Sequence, residues 1–167
     1  MDQRAVDQVD QKDLFLRFWD KEAIAMREVI KRIPQERCDY RADPKGRTAR
    51  EIAWLIVREE AALGDGLHKG VLEWQEVPAP ATMQEILDAY DREHPVATKR
   101  MKDKDASAWA QPIPFMFGGE EVMRASGFEN AWGFLFDLIH HRGQLSTMLR
   151  PMGSTVPQIY GPSADEP

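Results

Sequence analysis

The residues whose chemistry stands out lie near the end of the chain, where Asp137 and His141 are spaced four apart. Four residues make about one helical turn, so the carboxylate and the imidazole would project from the same face of a helix. That face is otherwise apolar, with Phe134, Leu138, Leu145 and Met148. Because an ionisable group is costly to bury alone, the spacing predicts a buried polar pair that contacts a metal, a substrate or another polar group across the core.

A third polar residue, Glu59, interrupts the apolar face of an earlier amphipathic segment. With Asp137 and His141 it would form a set of two carboxylates and one histidine, which suits iron or manganese, or zinc or nickel with open coordination positions. The alternative is a network without a metal, in which a neutral His141 donates a hydrogen bond to one of the carboxylates. The residue types leave both interpretations open.

Three polar residues close to His141 are candidates for substrate binding. Arg142 and Gln144 could bind an anionic substrate at the mouth of the site, although an arginine near the end of a helix also serves the helix dipole and ion pairs. His140 is turned by about one residue around the helix, toward a flank, where it would support the site or lie on the surface.

These residues must be positioned by amphipathic helices, of which the apolar periodicity predicts four. Two of them begin with capping boxes, formed by Thr48 with Glu51 and by Thr82 with Glu85. Pro95 is expected to kink or interrupt the third helix. The predicted helices are residues 14–33, a segment that begins at residue 48, residues 82–104 and residues 128–149.

Residues 105–126 are too rich in proline and glycine for a helix, so we expect a long structured crossover loop with at most short extended pieces around Phe115 or Val122. Four helices and one long connection predict an all-α protein, an up-down four-helix bundle whose inward side chains build the site. We expect a single domain over residues 1–167, with flexible or peripheral tails at residues 1–10 and 154–167.

The composition excludes several classes of protein. The 167 residues carry a net charge of -6 without a basic stripe, which argues against nucleic-acid binding. Cys38 is the single cysteine, so no internal disulfide can form. The first ten residues hold no apolar segment of signal-peptide length, and nowhere do eighteen apolar residues follow one another, so we expect neither export nor a membrane span. We therefore expect a cytoplasmic protein that does not span a membrane.

The last helix carries a resemblance to a known family. The segment 137–150, with its His-His-Arg-Gly-Gln-Leu-Ser-Thr core, and the Val-Pro-Gln-Ile-Tyr-Gly-Pro-Ser segment at 156–163 resemble the DinB-like (DinB/YfiT) family of damage-inducible bacterial proteins. Residues 48–54 of the second helix are similar to that family as well, and the order of helices matches over most of the chain. The resemblance implies a four-helix bundle, often dimeric, and in many members a divalent metal held by three histidines.

Carried over residue by residue, the resemblance implies an altered ligand set. The family's two histidines on the last helix would fall at Asp137 and His141, and its histidine on the second helix would fall at Leu55. An aliphatic side chain cannot bind a metal, whereas Glu59 lies one turn beyond Leu55 on the same face. The expected cofactor is therefore one divalent ion (Zn, Ni, Fe or Mn) held by Glu59, Asp137 and His141, or none.

Two classes of function follow from this resemblance. Related members act as transferases for low-molecular-weight thiols, so the first expectation is a metal-dependent thiol transferase or hydrolase that binds a thiol or another small molecule. The second is a dimeric binding or stress-related module that has lost its metal and is not a catalyst. In either case we expect a homodimer, with Trp19 and Trp132 as candidates for its interface.

Overall fold

A computed structural model describes residues 10–167, so the predicted tail at residues 1–10 lies, apart from Asp10, outside the described residues. The described chain is mostly helical, with five α-helices and a three-stranded sheet. Its elements are α1 (Gln11–Lys31), a 3-10 turn (Gln35–Arg37), α2 (Ala49–Lys69), β1 (Leu72–Trp74), α3 (Met83–Lys102), α4 (Ala106–Trp109), β2 (Pro112–Phe117), β3 (Glu120–Ser126) and α5 (Gly127–Leu149).

The four long helices surround a common apolar core. α2 packs against α3 and α5, and α1 packs against the same two helices from the other side. Each contributes the buried face that its periodicity predicts. The core includes Phe15, Trp19, Met26, Ile56, Leu63, Ile86, Met101, Leu135, Leu138 and Leu145. No described helix has the length and apolar composition needed to cross a bilayer.

The helix starts follow the capping signals in the sequence. Both predicted capping boxes form, since Thr48 and Thr82 each accept a hydrogen bond from the backbone of the glutamate three residues later, which reaches back in turn. Ser126 makes the same arrangement at the start of α5. α3 continues past Pro95, so the proline does not divide the helix.

The segment predicted as a crossover loop is more regular than expected. It holds the short helix α4 and an antiparallel hairpin of β2 and β3, whose turn residues Gly118 and Gly119 have φ of 59° and 87°. Glycine adopts such angles without steric cost, which suits a two-residue hairpin turn. β1 pairs in parallel with β2 and completes a three-stranded sheet that covers part of α5. The prediction of an all-α protein is therefore wrong in leaving out this sheet.

The two prolines of β2 explain why the sequence predicted no more than a short extended piece around Phe115. Proline cannot donate to a sheet and is therefore uncommon in central strands. β1 pairs only with Phe115 to Phe117, so Pro112 and Pro114 lie in the part of β2 that has β3 as its one neighbour. The prolines are tolerated because no strand of the described chain covers that side.

The aromatic residues proposed for a dimer interface occupy different environments. Trp19 is almost fully buried, and its indole donates a hydrogen bond to Thr98 Oγ1 at 2.8 Å. Its place is inside the core, so the prediction for Trp19 is wrong. Trp132 is half-buried between the rings of Phe18 and Phe136, which are themselves exposed.

Candidate metal centre

The three residues predicted to hold a metal meet between α2 and α5. His141 Nε2 lies 3.3 Å from Glu59 Oε1 and 3.5 Å from Asp137 Oδ1. One donor atom from each residue can be chosen so that all lie within 4.8 Å of one another. This spacing is compatible with three ligands of one metal ion, and the donor set is of the kind that binds iron, manganese, zinc or nickel.

The three side chains differ in burial. Glu59 and His141 are almost covered, whereas the Asp137 side chain is 57% exposed. The prediction of a buried pair is therefore right for His141 and wrong for Asp137. The reason is that Asp137 borders an open pocket beside α5, so one side of the cluster reaches solvent.

Burial and charge shift the pKa values of the two covered groups. Burial raises the pKa of Glu59 above its ordinary value, although His141 partly offsets the effect. For His141, burial acts to lower the pKa, but its interactions with Glu59 and Gln144 outweigh burial and leave the pKa raised. Glu59 Oε2 is buried and has no hydrogen-bond partner among the described residues. Without a metal, Glu59 and His141 should therefore hold a proton at pH values at which the same side chains in an unfolded chain would release it.

Gln144, which also contacts His140, orients the His141 imidazole from the side opposite the carboxylates. The Gln144 amide nitrogen lies 3.1 Å from His140 Nε2, and its oxygen lies 3.1 Å from His141 Nδ1. In this arrangement the amide donates to His140 and accepts from the Nδ1–H of His141. The lone pair of His141 Nε2 then faces the carboxylates, which requires a proton or a metal ion between them.

A pocket of about 510 Å³ opens beside the cluster, and its walls are mainly apolar. Leu55, at the position where the resemblance implied a histidine, forms part of the wall. The other walls come largely from the sheet and from α5, including Trp74, Phe115, Phe117, Met123 and Phe134. The sequence predicted short extended pieces around Phe115 and Val122 but not their pairing into a sheet, so these wall residues were missed, although the apolar run at 113–117 is of a length typical of a buried strand.

The structure does not bring the residues predicted for substrate binding into this pocket. Arg142 is buried, forms an ion pair with Glu22 of α1, and lies 5.1 Å from the centre of the Tyr160 ring. His140 and Gln144 are exposed on α5 and do not line the pocket. Their contact with a substrate stays a prediction, whereas the observed role of Arg142 is to join α5 to α1.

Comparisons with known proteins agree with the arrangement of helices, and a family model matches the last helix. The DinB family model matches residues 134–167, which include Asp137 and His141. The uncharacterized protein YrdA of Bacillus subtilis is 29% identical over 162 residues, covering 92% of this chain and 90% of that protein.

Two solved structures share the fold. A DinB-like protein from Bacillus cereus superposes with a TM-score of 0.75 at 20% identity, over 89% of this chain and 97% of that one. The DinB-like protein YjoA of Bacillus subtilis gives a TM-score of 0.71 at 14% identity, over 89% of this chain and 99% of that one. The family match over α5 and the residues after it, the relative and the shared fold all support a likeness of this chain to the DinB-like family.

Proposed function

We propose that the protein is a metal-dependent enzyme, a thiol transferase or hydrolase, whose single divalent ion is held by Glu59, Asp137 and His141 within a four-helix bundle. The observation that carries the proposal is the buried Glu59 carboxylate, whose Oε2 has no hydrogen-bond partner among the described residues while its Oε1 faces the imidazole. An unpaired buried carboxylate oxygen is costly, and a divalent ion would satisfy it.

Each residue of the proposed site would have a role that depends on its position. His141 presents Nε2 to the cluster because Gln144 holds Nδ1 on the other side. Glu59 provides a covered negative charge, and Asp137 closes the cluster at the edge that solvent and substrate can reach. A divalent ion held here would lower the pKa of a thiol or water, so that a nucleophile exists at neutral pH.

The substrate class follows from the pocket and from the resemblance. The apolar walls would hold the body of a small molecule and exclude water around the reacting group. A low-molecular-weight thiol would bring the sulfur to the open side of the cluster, beside Asp137. The proposal thus assigns recognition of the substrate body to the sheet and activation of the nucleophile to α2 and α5.

The second candidate is a binding module without catalysis, and Leu55 is the observation that favours it. An aliphatic residue occupies the position of the family's histidine on the second helix, and His141 already interacts with Glu59 without a third histidine. In that case the apolar pocket would bind a small ligand. A homodimer remains the proposed assembly for either function.

Metal content decides between the two candidates. We would purify the full chain without a histidine tag, measure its metals by elemental analysis, and titrate the chelated protein with zinc, nickel, iron and manganese. About one equivalent per chain is expected, because the cluster offers one set of ligands. Glu59→Gln and His141→Ala should abolish it, whereas His68→Ala, a matched change of an exposed histidine on α2, should not.

The opposite result would be equally clear. A folded protein that contains no metal and takes up none of the four ions would contradict the enzyme proposal and leave the binding module. Loss of metal in His68→Ala as well would show that the measured ion is bound elsewhere on the chain.

A further inference from the structure

A second cavity adjoins the candidate metal centre and differs from it in charge. It has a volume of about 560 Å³ and lies between α2, the turn that precedes α2, and the segment after β1. Arg47, Leu55, Trp74 and Glu76 line both cavities, so the two are neighbours with shared walls. We call this second cavity the basic annex, because its cationic side chains are Arg41, Lys45, Arg47 and Arg58.

The cations of the basic annex are mostly without partners. Arg41 lies 4.0 Å from Glu51, but the side chains of Lys45, Arg47 and Arg58 make no ion pair or hydrogen bond with a described residue. Arg58 is half-buried, and its Nε is buried without a hydrogen-bond partner in the described chain. Buried donors of this kind are normally satisfied, so Arg58 points to a partner that the folded chain does not supply.

The two carboxylates of the basic annex neutralise only part of its positive charge, since Glu51 approaches Arg41 alone among the four cations. Glu51 belongs to the capping box of α2, and its hydrogen bond with the Thr48 backbone is the largest reason that its pKa is lowered. Glu76 lies 3.5 Å from the indole nitrogen of Trp74. In a chain with a net charge of -6, four cations against two carboxylates still leave this cavity with a local positive charge that would attract an anion.

We propose that the basic annex binds the anionic group, a carboxylate or a phosphate, of a substrate whose apolar part lies in the pocket beside Glu59, Asp137 and His141. Arginine forms paired hydrogen bonds with such groups, and Arg47 lies where the two cavities meet. The proposal rests on the proposed function in one respect, namely that the adjoining pocket is where the substrate reacts. It narrows the substrate class to amphipathic anions.

The test compares phenylbutyrate with its uncharged amide, phenylbutyramide, as ligands of the full chain. Binding is followed by calorimetry and by the fluorescence of Trp54 and Trp74, which line the annex. Because a charge-assisted hydrogen bond contributes about 1.5–3 kcal/mol, the acid should bind at least about tenfold more tightly than the amide. A carboxylate could also bind a metal ion, so the comparison is repeated after chelation, where the preference should persist.

Substitutions test whether the cations of the basic annex cause the preference for the acid over the amide. Arg47→Gln and Arg58→Gln should each reduce it to about twofold or less, because each removes one cation of the annex. Arg17→Gln removes the same charge from an exposed position on α1 and should leave it unchanged. Thermal melts verify that the variants fold. We expect them to fold because the substituted residues are exposed or half-buried.

Three results would overturn the inference. They are equal affinities for the acid and the amide, no measurable binding of the acid, and a preference for the acid that survives both substitutions. A preference that disappears on chelation would also overturn it, because the metal rather than the annex would bind the carboxylate. This test is separate from the metal titration, which depends on Glu59 and His141 and not on Arg47 or Arg58. Absence of metal with an intact preference would therefore contradict only the proposed enzyme.

Discussion

Glu59 of α2 and His141 of α5 meet in the interior, with 3.3 Å between Oε1 and Nε2. The contact joins two helices that are distant in the sequence, and both groups are titratable and almost covered. Since Gln144 accepts the Nδ1–H of His141, only a proton or a metal ion can make the Nε2 side of the contact favourable. Proton and metal should therefore compete for this position, and the competition can be measured.

The stability of the metal-free protein should fall as pH rises. The pKa of Glu59 in the folded chain is raised above 4.5 and that of His141 above 6.5, so the folded state holds protons that the unfolded state releases. The stabilisation from His141 is fully present below pH 6.5 and is lost as pH rises through its folded pKa. Urea unfolding of chelated protein between about pH 5 and pH 8 measures the effect.

The same protonation should have the opposite effect on metal binding. Ligands must lose their protons to bind a metal, so affinity should increase over the range in which the metal-free protein loses stability. Glu59→Gln removes one titrating group and should flatten the stability profile relative to the unsubstituted chain. An affinity independent of pH, or an unchanged stability profile in Glu59→Gln, would contradict the assignment of this pair.

The buried ion pair between Arg142 and Glu22 should be a main contributor to stability. Arg142→Met leaves the Glu22 carboxylate buried with only the Tyr160 hydroxyl, at 2.8 Å, as a hydrogen-bond partner among the described residues, and should cost about 3–5 kcal/mol. The matched control is Arg150→Met, because Arg150 forms an exposed pair with Asp165 at 3.0 Å and should contribute less than about 1 kcal/mol. Denaturant unfolding compares the two variants.

A double variant separates the loss of a partner from the loss of packing. Combining Glu22→Gln with Arg142→Met removes the uncompensated charge and should recover much of the stability. If Arg142→Met destabilises no more than Arg150→Met, the pair is not held as the structure shows.

The close approach of α2 and α3 depends on a glycine. A Cβ built on Gly64 would lie 2.5 Å from Ala97 Cα, so Gly64→Ala forces the two helices apart and should cost about 1–3 kcal/mol. Gly143→Ala is the control, since a Cβ at that helical position meets nothing within 4 Å and should stabilise the protein by about 0.5–1 kcal/mol. Thermal unfolding should move the two midpoints in opposite directions.

The long helices and the ligand cluster could be predicted because their signals are local. Apolar periodicity and the capping boxes at Thr48 and Thr82 depend on residues within a few positions of one another. Glu59, Asp137 and His141 were found because each is a polar residue on a face that is otherwise apolar. Helical geometry then places Glu59 and His141 toward the same interior, with Asp137 at its exposed edge.

The remaining features depend on contacts between distant segments. Pairing of β1 with β2 joins residues about forty positions apart in the sequence, and no local sequence pattern predicts this pairing. The exposure of Asp137 follows from the pocket that this sheet encloses, so it could not be read from α5 alone. Similarly, the placement of Arg142 depends on Glu22, on a helix at the other end of the chain.

The exposed aromatic residues of α1 and α5 lead to a prediction about assembly. Phe18 and Phe136 are 42% and 63% exposed and contact Trp132 from either side, with ring centres 6.1 and 5.9 Å from the indole. An aromatic cluster on a surface is typical of an interface, so we expect a homodimer that buries it. Light scattering coupled to size exclusion should give about twice the mass of one chain, 19.1 kDa.

Substitution of Phe136 tests whether this cluster forms the interface. Loss of a central aromatic residue typically costs 2 kcal/mol or more, so Phe136→Asp should weaken dimerisation by about 30-fold or more. Val122→Asp places the same charge at an equally exposed apolar position on β3 and should leave the dimer intact. A monomer at all concentrations would refute the dimer, and a dimer that survives Phe136→Asp but not Val122→Asp would move the interface to the sheet.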